Sequence, residues 1–311
     1  MLSEYKKYST TKLLTKERPL LEHKVEYKLE PKLFLPPNKT RRGEGGLRTK
    51  GFFKKSYKNK PLISIVTVVY NGEKHLEQTI NSVLGQDYDN VEYIVIDGGS
   101  RDGTLGIIKK YEEGIDYWAS EADSGVYDAM NKGASLCSGK YIAFLNADDW
   151  YNSDTIETVV AEAAKGSSDY IFGNVDIFMG TKLEYSLNNR MNEYKVKIPF
   201  GHPSLFVKKK YMFRDPFNLN YEVVADYNFI LGLIKQKLSY IYIDKSLVNF
   251  RAGGISSLLN YDREKFHLYC ANFGFLRGSY SFFHLKYYPL IIKSVNVLKK
   301  RIHYFNKNIN I

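Results

Sequence analysis

Cysteine is scarce in this chain, with only Cys137 and Cys270 among 311 residues and no framework spacing between them. That excludes a disulfide scaffold and leaves two free thiols, small buried hydrophobes suited to a reducing compartment. Long apolar runs are missing too. The opening residues MLSEYKKYSTTKLLTKE lack the uninterrupted apolar core of a secretory signal, and no stretch approaches the roughly 18 to 20 apolar residues of a membrane span. A cytoplasmic protein is therefore expected. Two phosphate-binding signatures are also absent: there is no G-x-x-x-x-G-K-S/T loop, and the turn YNGEKH after the first apolar strand is not G-x-G-x-x-G. A bound nucleotide would have to be held without a glycine cradle. There is no internal repeat and no low-complexity tract.

What is present is a chain with 44% hydrophobic residues, enough for a full core, and a formal charge of +11 that is unevenly spread. Residues 1–60 hold 17 basic and 6 acidic side chains, residues 261–311 hold 9 and 2, and the centre is left near −7. A nucleic-acid-binding core would concentrate positive charge on the folded domain, so no nucleic-acid partner is expected. The distribution divides the chain into a basic N-terminal extension (1–60), a central domain (61–257) and a basic, aromatic, helical C-terminal segment (258–311). The extension carries Pro31, Pro36, Pro37 and the Gly-rich RRGEGGLRTKG, and suits a wrap around the domain rather than a core of its own. The C-terminal YSFFHLKYYPLIIKSVNVLKKRIHYF has the Tyr, Phe, Lys and Arg of an amphipathic helix at an anionic membrane surface, or of a helix packed on protein.

From Pro61 onward, apolar strands alternate with helical periodicity. PLISIVTVVYNG reads as a strand buried on both faces, and EKHLEQTINSVLGQ places Leu76, Ile80, Val83 and Leu84 at helical spacing. VEYIVIDGGS and RDGTLGIIKKYEE repeat the pattern. IDYWAS, the helix VYDAMNKGASLCSG and the strand KYIAFLN follow, with Ser153 or Asp154 as the cap of the helix TIETVVAEAAKG. Beyond Gly166 come shorter strands, then a helix near EVVADYNFILGLIKQ. The fold class is α/β, a mostly parallel mixed sheet flanked by helices.

In such a sheet the ligand crevice lies beyond the carboxyl ends of the strands. The unusual residues fall there: Tyr70-Asn71-Gly72, Asp97-Gly98-Gly99-Ser100 and Asn146-Ala147-Asp148-Asp149. Adjacent aspartates at a strand end repel unless something joins them, and hard carboxylate oxygens suit Mg²⁺ or Mn²⁺ bridging to a diphosphate. Asp97 ends an apolar strand, where a charge needs a partner, and a nucleoside would supply one.

The segments PLISIVTVVYNGEKHLEQTINSVLGQ, VIDGGSRDGT, SEADSGVYDAMNKG and FLNADDW, in this order, resemble bacterial family 2 glycosyltransferases of the GT-A fold, particularly those that build surface polysaccharides. The likeness is specific over about residues 61–180 and weaker, through GHPSLF, ADYNFILGL and FRAGGISS, to about residue 257. It implies a Rossmann-like GT-A domain and an inverting displacement in which an acceptor hydroxyl attacks a nucleotide sugar, usually UDP-linked. Carried onto this sequence, Tyr70, Asn71 and Glu73 border the nucleoside, Asp97 contacts base or ribose, and Asp123 lines the donor site. Asn146, Ala147, Asp148 and Asp149 occupy the metal motif, with Asp148 and Asp149 as candidate ligands. Its first acidic position is Asn146 here, which leaves open which aspartate holds the ion. Asp226 in VVADYNFIL matches the general base, with Glu222 as the nearest substitute. His202 is a candidate for diphosphate or acceptor, and Arg251 for phosphate. The partners implied are a nucleotide-sugar donor and a glycan or lipid-linked acceptor at the inner face of the plasma membrane. A nucleotide-sugar-binding protein without turnover is the competing reading, since Asn146 departs from the motif.

Overall fold

The structure is a computed structural model describing residues 7–195, 197–253, 262–280 and 282–283. These fall into two compact units, one within Met1–Asn189 and Phe200–Leu259, the other within Arg190–Pro199 and Asn260–Ile311.

The larger unit is built on one sheet. In chain order its elements are β1 (Gly43–Gly45), β2 (Ile63–Val69), α1 (Leu76–Leu84), β3 (Val91–Asp97), α2 (Thr104–Lys110), β4 (Tyr117–Ser120), α3 (Val126–Ser135) and β5 (Tyr141–Phe144). They continue with β6 (Trp150–Tyr151), α4 (Thr155–Lys165), β7 (Tyr170–Met179), β8 (Lys182–Leu187), β9 (Phe206–Lys208), α5 (Lys209–Arg214), α6 (Ala225–Lys235) and β10 (Tyr240–Arg251). The strand order is β1-β4-β3-β2-β5-β9-β7-β10-β6, with β8 paired to β7. Pairs β4-β3, β3-β2, β2-β5 and β7-β10 are parallel; β1, β9, β6 and β8 join antiparallel. The mixed, mostly parallel sheet expected from the alternation is the sheet observed.

Sequence explains the layering. All seven residues of β2 and of β3 are buried, as continuous β-branched runs covered on both faces require. α1 buries Leu76, Thr79, Ile80, Val83 and Leu84 at three- and four-residue spacing against the sheet. Gly133 lets α3 lie close on β2, since a Cβ there would sit 2.4 Å from Val66 Cγ1. β8, by contrast, is exposed along nearly its whole length, consistent with its alternating charged residues at an edge.

Residues 7–57 are tied to this sheet by buried charge. Arg48 pairs with Glu92 at 2.6 Å and donates to Leu136 O, and Lys54 pairs with Asp116 at 2.6 Å, all four side chains being essentially sealed from solvent. Ser64 and Ser138 complete the Glu92 shell. Burial pushes Glu92 upward, but Arg48 and the Ser138 and Ser64 hydrogen bonds outweigh it, so its carboxyl is held low. Removing one partner of such a pair costs about 3–5 kcal/mol, because the other charge stays buried and alone.

One local expectation is corrected. Asp154 stands at the N-cap of α4, yet its carboxylate makes no capping hydrogen bond; it pairs with Lys245 of β10 instead. In the smaller unit, a helix α7 (Asp262–Phe273) buries Leu268 and Tyr269, and Tyr194 lies against Phe273. Most of the C-terminal stretch expected to be amphipathic lies outside the described residues. Among those described, no helix is long and apolar enough to cross a membrane.

Candidate active site

The carboxyl ends of β2, β3 and β4 are in register, Val69 opposite Asp97 and Asp97 opposite Ser120. The loops that leave them are laced together. Gly98 N–H donates to Val69 O, Asn71 N–H to Ser100 Oγ at 2.7 Å, Gly72 N–H to Thr104 Oγ1 and Arg101 N–H to Asn71 Oδ1. Glu73 N–H reaches Asp102, and Gly103 N–H returns to the Glu73 carboxylate at 2.6 Å. Asn71 sits at φ 50°, the left-handed region that an Asn side chain tolerates. Tyr70, just before it, is 58% exposed and points its ring at solvent.

Asp97 is wholly buried. Its carboxylate accepts Ser100 N–H and Ser100 Oγ–H from the loop and Ser120 Oγ–H, at 2.6 Å, from β4. The premise that this charge lacks a partner within the protein is thus corrected: Ser100, three residues on in the loop, and Ser120, opposite on β4, satisfy it. Asp97 fixes Ser100, and Ser100 fixes Asn71. The following residue, Gly98, leaves room for another acid, because a Cβ there would lie 2.5 Å from Asp123 Oδ2. Asp123 Oδ1 accepts Gly125 N–H, and burial pushes its pKa up from the ordinary carboxylate value. Arg42, from the N-terminal segment, donates to Ser100 O and Gly99 O, so the extension buttresses the same loop.

At the end of β5, Asn146 and Ala147 lead into the acidic pair, and Ala147 Cβ approaches the backbone of Gly72. Asp148 is partly exposed, whereas Asp149 is fully buried. Asp149 Oδ1 accepts Arg251 N–H at 3.0 Å and its backbone carbonyl accepts Thr79 Oγ–H; Asp149 Oδ2 and Asn146 Oδ1 have no hydrogen-bond partner. Burial and then the neighbouring Asp148 raise Asp149 well above the usual carboxylate range, and burial raises Asp148. Two carboxylates that resist ionisation beside each other, with Asp149 Oδ2 and the neutral amide oxygen of Asn146 buried without partners, fit a hard divalent cation that takes few protein ligands. Among the described residues no group of three or more His, Cys, Asp or Glu side chains is arranged to hold a metal.

Arg251 ends β10 over this pair. Its guanidinium stacks 4.9 Å from the Trp150 ring centroid and donates to Asp148 O, Gly180 O and Gln78 Oε1. His75, unforeseen from sequence, lies within electrostatic reach of Asp148 and Arg251: burial, then Arg251 and Lys74, lower its pKa while Asp148 opposes.

The third cluster joins distant segments. A short 3-10 turn, His202–Ser204, packs against β5, β7 and β10 and the N-terminus of α6. His202 Nδ1 lies 3.1 Å from Asp226 Oδ2, Tyr127 of α3 donates to Asp226 Oδ1 at 3.0 Å, and Tyr227 N–H donates to the same oxygen at 2.8 Å. Burial would raise Asp226, but the contacts with His202, Tyr227 and Tyr127 prevail and hold it below the ordinary value. Tyr127 gives no sequence signal apart from its place in SGVYDAM, where its ring reads as core. The structure therefore gathers Asp226 with His202, Asp148 with Asp149, Asn146 and Arg251, and Asn71 with Glu73 and the Asp97 loop.

The profile of Glycosyl transferase family 2 matches residues 64–238. Over 175 residues the chain is 31% identical to a PGL/p-HBAD biosynthesis glycosyltransferase of Mycobacterium tuberculosis, covering 54% of this chain and 68% of that one. It is 40% identical over 101 residues to the putative teichuronic acid biosynthesis glycosyltransferase TuaG of Bacillus subtilis, covering 32% and 40%. The chain thus spans only about two fifths of the length of several curated relatives it matches. Among solved structures, S. aureus TarS 1–349 in complex with UDP has the same fold, with a TM-score of 0.57 at 17% identity over 72% of this chain and 70% of that one.

Proposed function

The chain belongs to glycosyl transferase family 2, and we propose that it transfers a sugar, with inversion, from a nucleotide sugar to a hydroxyl of a cell-surface glycan or its lipid-linked precursor. The observation that carries the reading is the partly exposed Asp148 backed by Asp149 and Asn146, whose buried oxygens lack partners, at the strand edge that also bears the Asn71 and Ser100 loops. Asp148, with Asp149 and Asn146 behind it, would hold Mg²⁺ or Mn²⁺, which neutralises charge on a departing diphosphate. Tyr70 would flank the base from its exposed position, Asn71, Glu73 and Asp97 would keep that wall rigid, and Asp123 would offer its carboxylate over Gly98. The Asp226 and His202 cluster would take the acceptor proton as the new glycosidic bond forms. Arg251, through its grip on Asp148 O and Asp149, would keep the acidic pair aimed at the donor.

UDP is favoured as the nucleotide because the structurally similar TarS binds it. The names of the mycobacterial and Bacillus relatives favour a glycan or glycolipid product. The charge of residues 1–60 and 261–311 suits docking on anionic lipid, which vesicle binding that weakens with salt would support.

Release of nucleotide from UDP-glucose, UDP-galactose, UDP-N-acetylglucosamine and GDP-mannose, with Mn²⁺ and with chelator, is the deciding assay. Asn146, where an acid would strengthen cation binding, favours one rival, a donor-binding protein without turnover. Tight UDP binding by calorimetry with no consumption of any donor across an acceptor panel would select that rival.

A further inference from the structure

The Tyr127 hydroxyl stands where two acceptors compete for one proton. Its Oη lies 2.8 Å from Val223 O and 3.0 Å from Asp226 Oδ1, and neither oxygen can donate in return while Asp226 is ionised. A phenol kept for packing needs only one of them. The ring is buried and leans on Phe217, with centroids 5.4 Å apart. One helical turn further along α3, Asn131 grips the same segment with both ends of its amide: Nδ2–H donates to Phe217 O at 2.9 Å, and Oδ1 accepts Phe217 N–H at 3.0 Å. α3 thus clamps residues 217–226, and the hydroxyl is the part of the clamp that reaches the carboxylate. The titratable groups in hydrogen-bond contact with Asp226 are His202, from the 3-10 turn, and Tyr127. Burial opposes ionisation of Asp226, and His202, Tyr227 N–H and Tyr127 outweigh it.

We infer that Tyr127 is a positioning residue that acts as a latch on the general base: its O–H points to Asp226 Oδ1 while the carboxylate is charged and turns to Val223 O once the carboxylate has taken the acceptor proton. This rests on the glycosyltransferase reading above, with Asp226 as the proton acceptor. In the step, the acceptor hydroxyl oxygen forms its bond to the anomeric carbon as the bond from that carbon to the diphosphate oxygen breaks. The electron pair of the broken bond leaves with the diphosphate, and the hydroxyl proton passes to the Asp226 carboxylate and from there to solvent. Tyr127 neither gains nor loses a proton; only the direction of its O–H changes. Both states need that hydroxyl satisfied, because a buried anion short of a donor and a buried O–H without an acceptor are each unfavourable. Val223 O, three residues before the base, is the second resting place, reached by rotation about one C–O bond with the ring unmoved.

Tyr127→Phe keeps the ring on Phe217 and removes only the latch. With UDP-N-acetylglucosamine, UDP-glucose and GDP-mannose as probes, Mn²⁺ present and water as acceptor, it should lower the plateau rate of nucleotide release about 10- to 100-fold with donor KM within about twofold. The acidic limb of the rate–pH profile should move to higher pH, because the anion loses a donor and forms less readily. Tyr127→3-fluorotyrosine, whose hydroxyl is a stronger donor, should hold the rate within about threefold and move the limb to lower pH. Asn131→Ala loosens the same clamp without touching the hydroxyl, and should lower the urea midpoint while leaving the limb in place. An unmoved limb in Tyr127→Phe, or the same movement in Asn131→Ala, would assign the tyrosine to packing and overturn the inference. His202 is present throughout, so it adds the same background to every profile. If the wild type consumes none of the donors, the transferase reading fails by itself. A ¹³C NMR titration of the Asp226 carboxyl, its signal identified by its loss in Asp226→Asn, then still decides whether Tyr127 holds the anion: Tyr127→Phe should raise the midpoint, and an unchanged midpoint rejects the latch.

Discussion

The two sides of the strand edge solve the problem of polar groups in opposite ways. On the side of β2, β3 and β4 the polar network closes on itself: the Asp97 carboxylate is filled by Ser100 and Ser120, Asn71 by Arg101 N–H, and Glu73 by Gly103 N–H. On the side of β5, β7 and β10, Asn146 Oδ1, Asp149 Oδ2 and His202 Nε2 are buried without partners. Other orphaned atoms exist, Trp118 Nε1 and Ser168 Oγ among them, but among the described residues only this side sets several beside acidic residues at strand ends. A closed network gives a rigid wall and gains little from a ligand. An open one is stable only to the extent that something else completes it. The difference separates residues that shape the cleft from residues that meet what enters it.

The sharpest test of that division pairs one substitution from each side. Asp148→Asn should lower transfer about 100- to 1,000-fold, a loss of about 3–4 kcal/mol in transition-state stabilisation, with the urea midpoint nearly unmoved. Asp97→Asn should do the reverse. An amide cannot accept from Ser100 N–H, Ser100 Oγ–H and Ser120 Oγ–H at once, so stability should fall by about 2–3 kcal/mol in urea unfolding, with activity following the folded fraction. If Asp97→Asn keeps full stability and loses nucleotide binding alone, the wall is a contact surface after all and the comparison breaks.

This division explains what the sequence could tell and what it could not. The buried strands Ile63–Val69 and Val91–Asp97 are continuous apolar runs, so period and composition are sufficient to place them. The acidic pair is visible because like charges at a strand end contradict local preference. Partners far apart in the chain leave no such trace: Glu92 meets Arg48 across 44 positions, Asp116 meets Lys54 across 62, and His202 meets Asp226 across two intervening elements. Asp97 shows the cost of reading one residue alone. Its position at the end of an apolar run correctly signals that the charge needs a partner, but only the register of β3 with β4 reveals Ser120 as one of them. The glycines of Gly43–Gly45 read as loop, yet they form β1 because the Trp118 ring on β4 leaves no room for side chains there.

A smaller effect probes the boundary between the two sides. Gly98→Ala places a methyl against Asp123 Oδ2, the mobile end of a side chain, so the carboxylate should swing away at little cost to folding. Nucleotide affinity should weaken about tenfold, or about 1.4 kcal/mol, by calorimetry with UDP. Unchanged affinity would remove Asp123 from the donor wall.

The smallest effect concerns proton linkage at Asp149. Its folded-state pKa is raised, by burial first and then by Asp148, so between the unfolded value near 3.8 and the folded value the native state binds more protons than the unfolded chain. Stability of chelator-treated protein should therefore fall as pH rises through that window, the opposite sense from a salt-bridged carboxylate such as Glu92. Asp149→Asn removes the charge while its amide oxygen can still accept Arg251 N–H, and should stabilise chelator-treated protein by about 1 kcal/mol at pH 7 with little change near pH 4. Mn²⁺ should then raise the melting temperature of the wild type at pH 7 more than that of the variant. A variant less stable than wild type at pH 7 in chelator would mean that the buried oxygen is already satisfied by the fold, and that the two sides of the edge differ less than their hydrogen bonds imply.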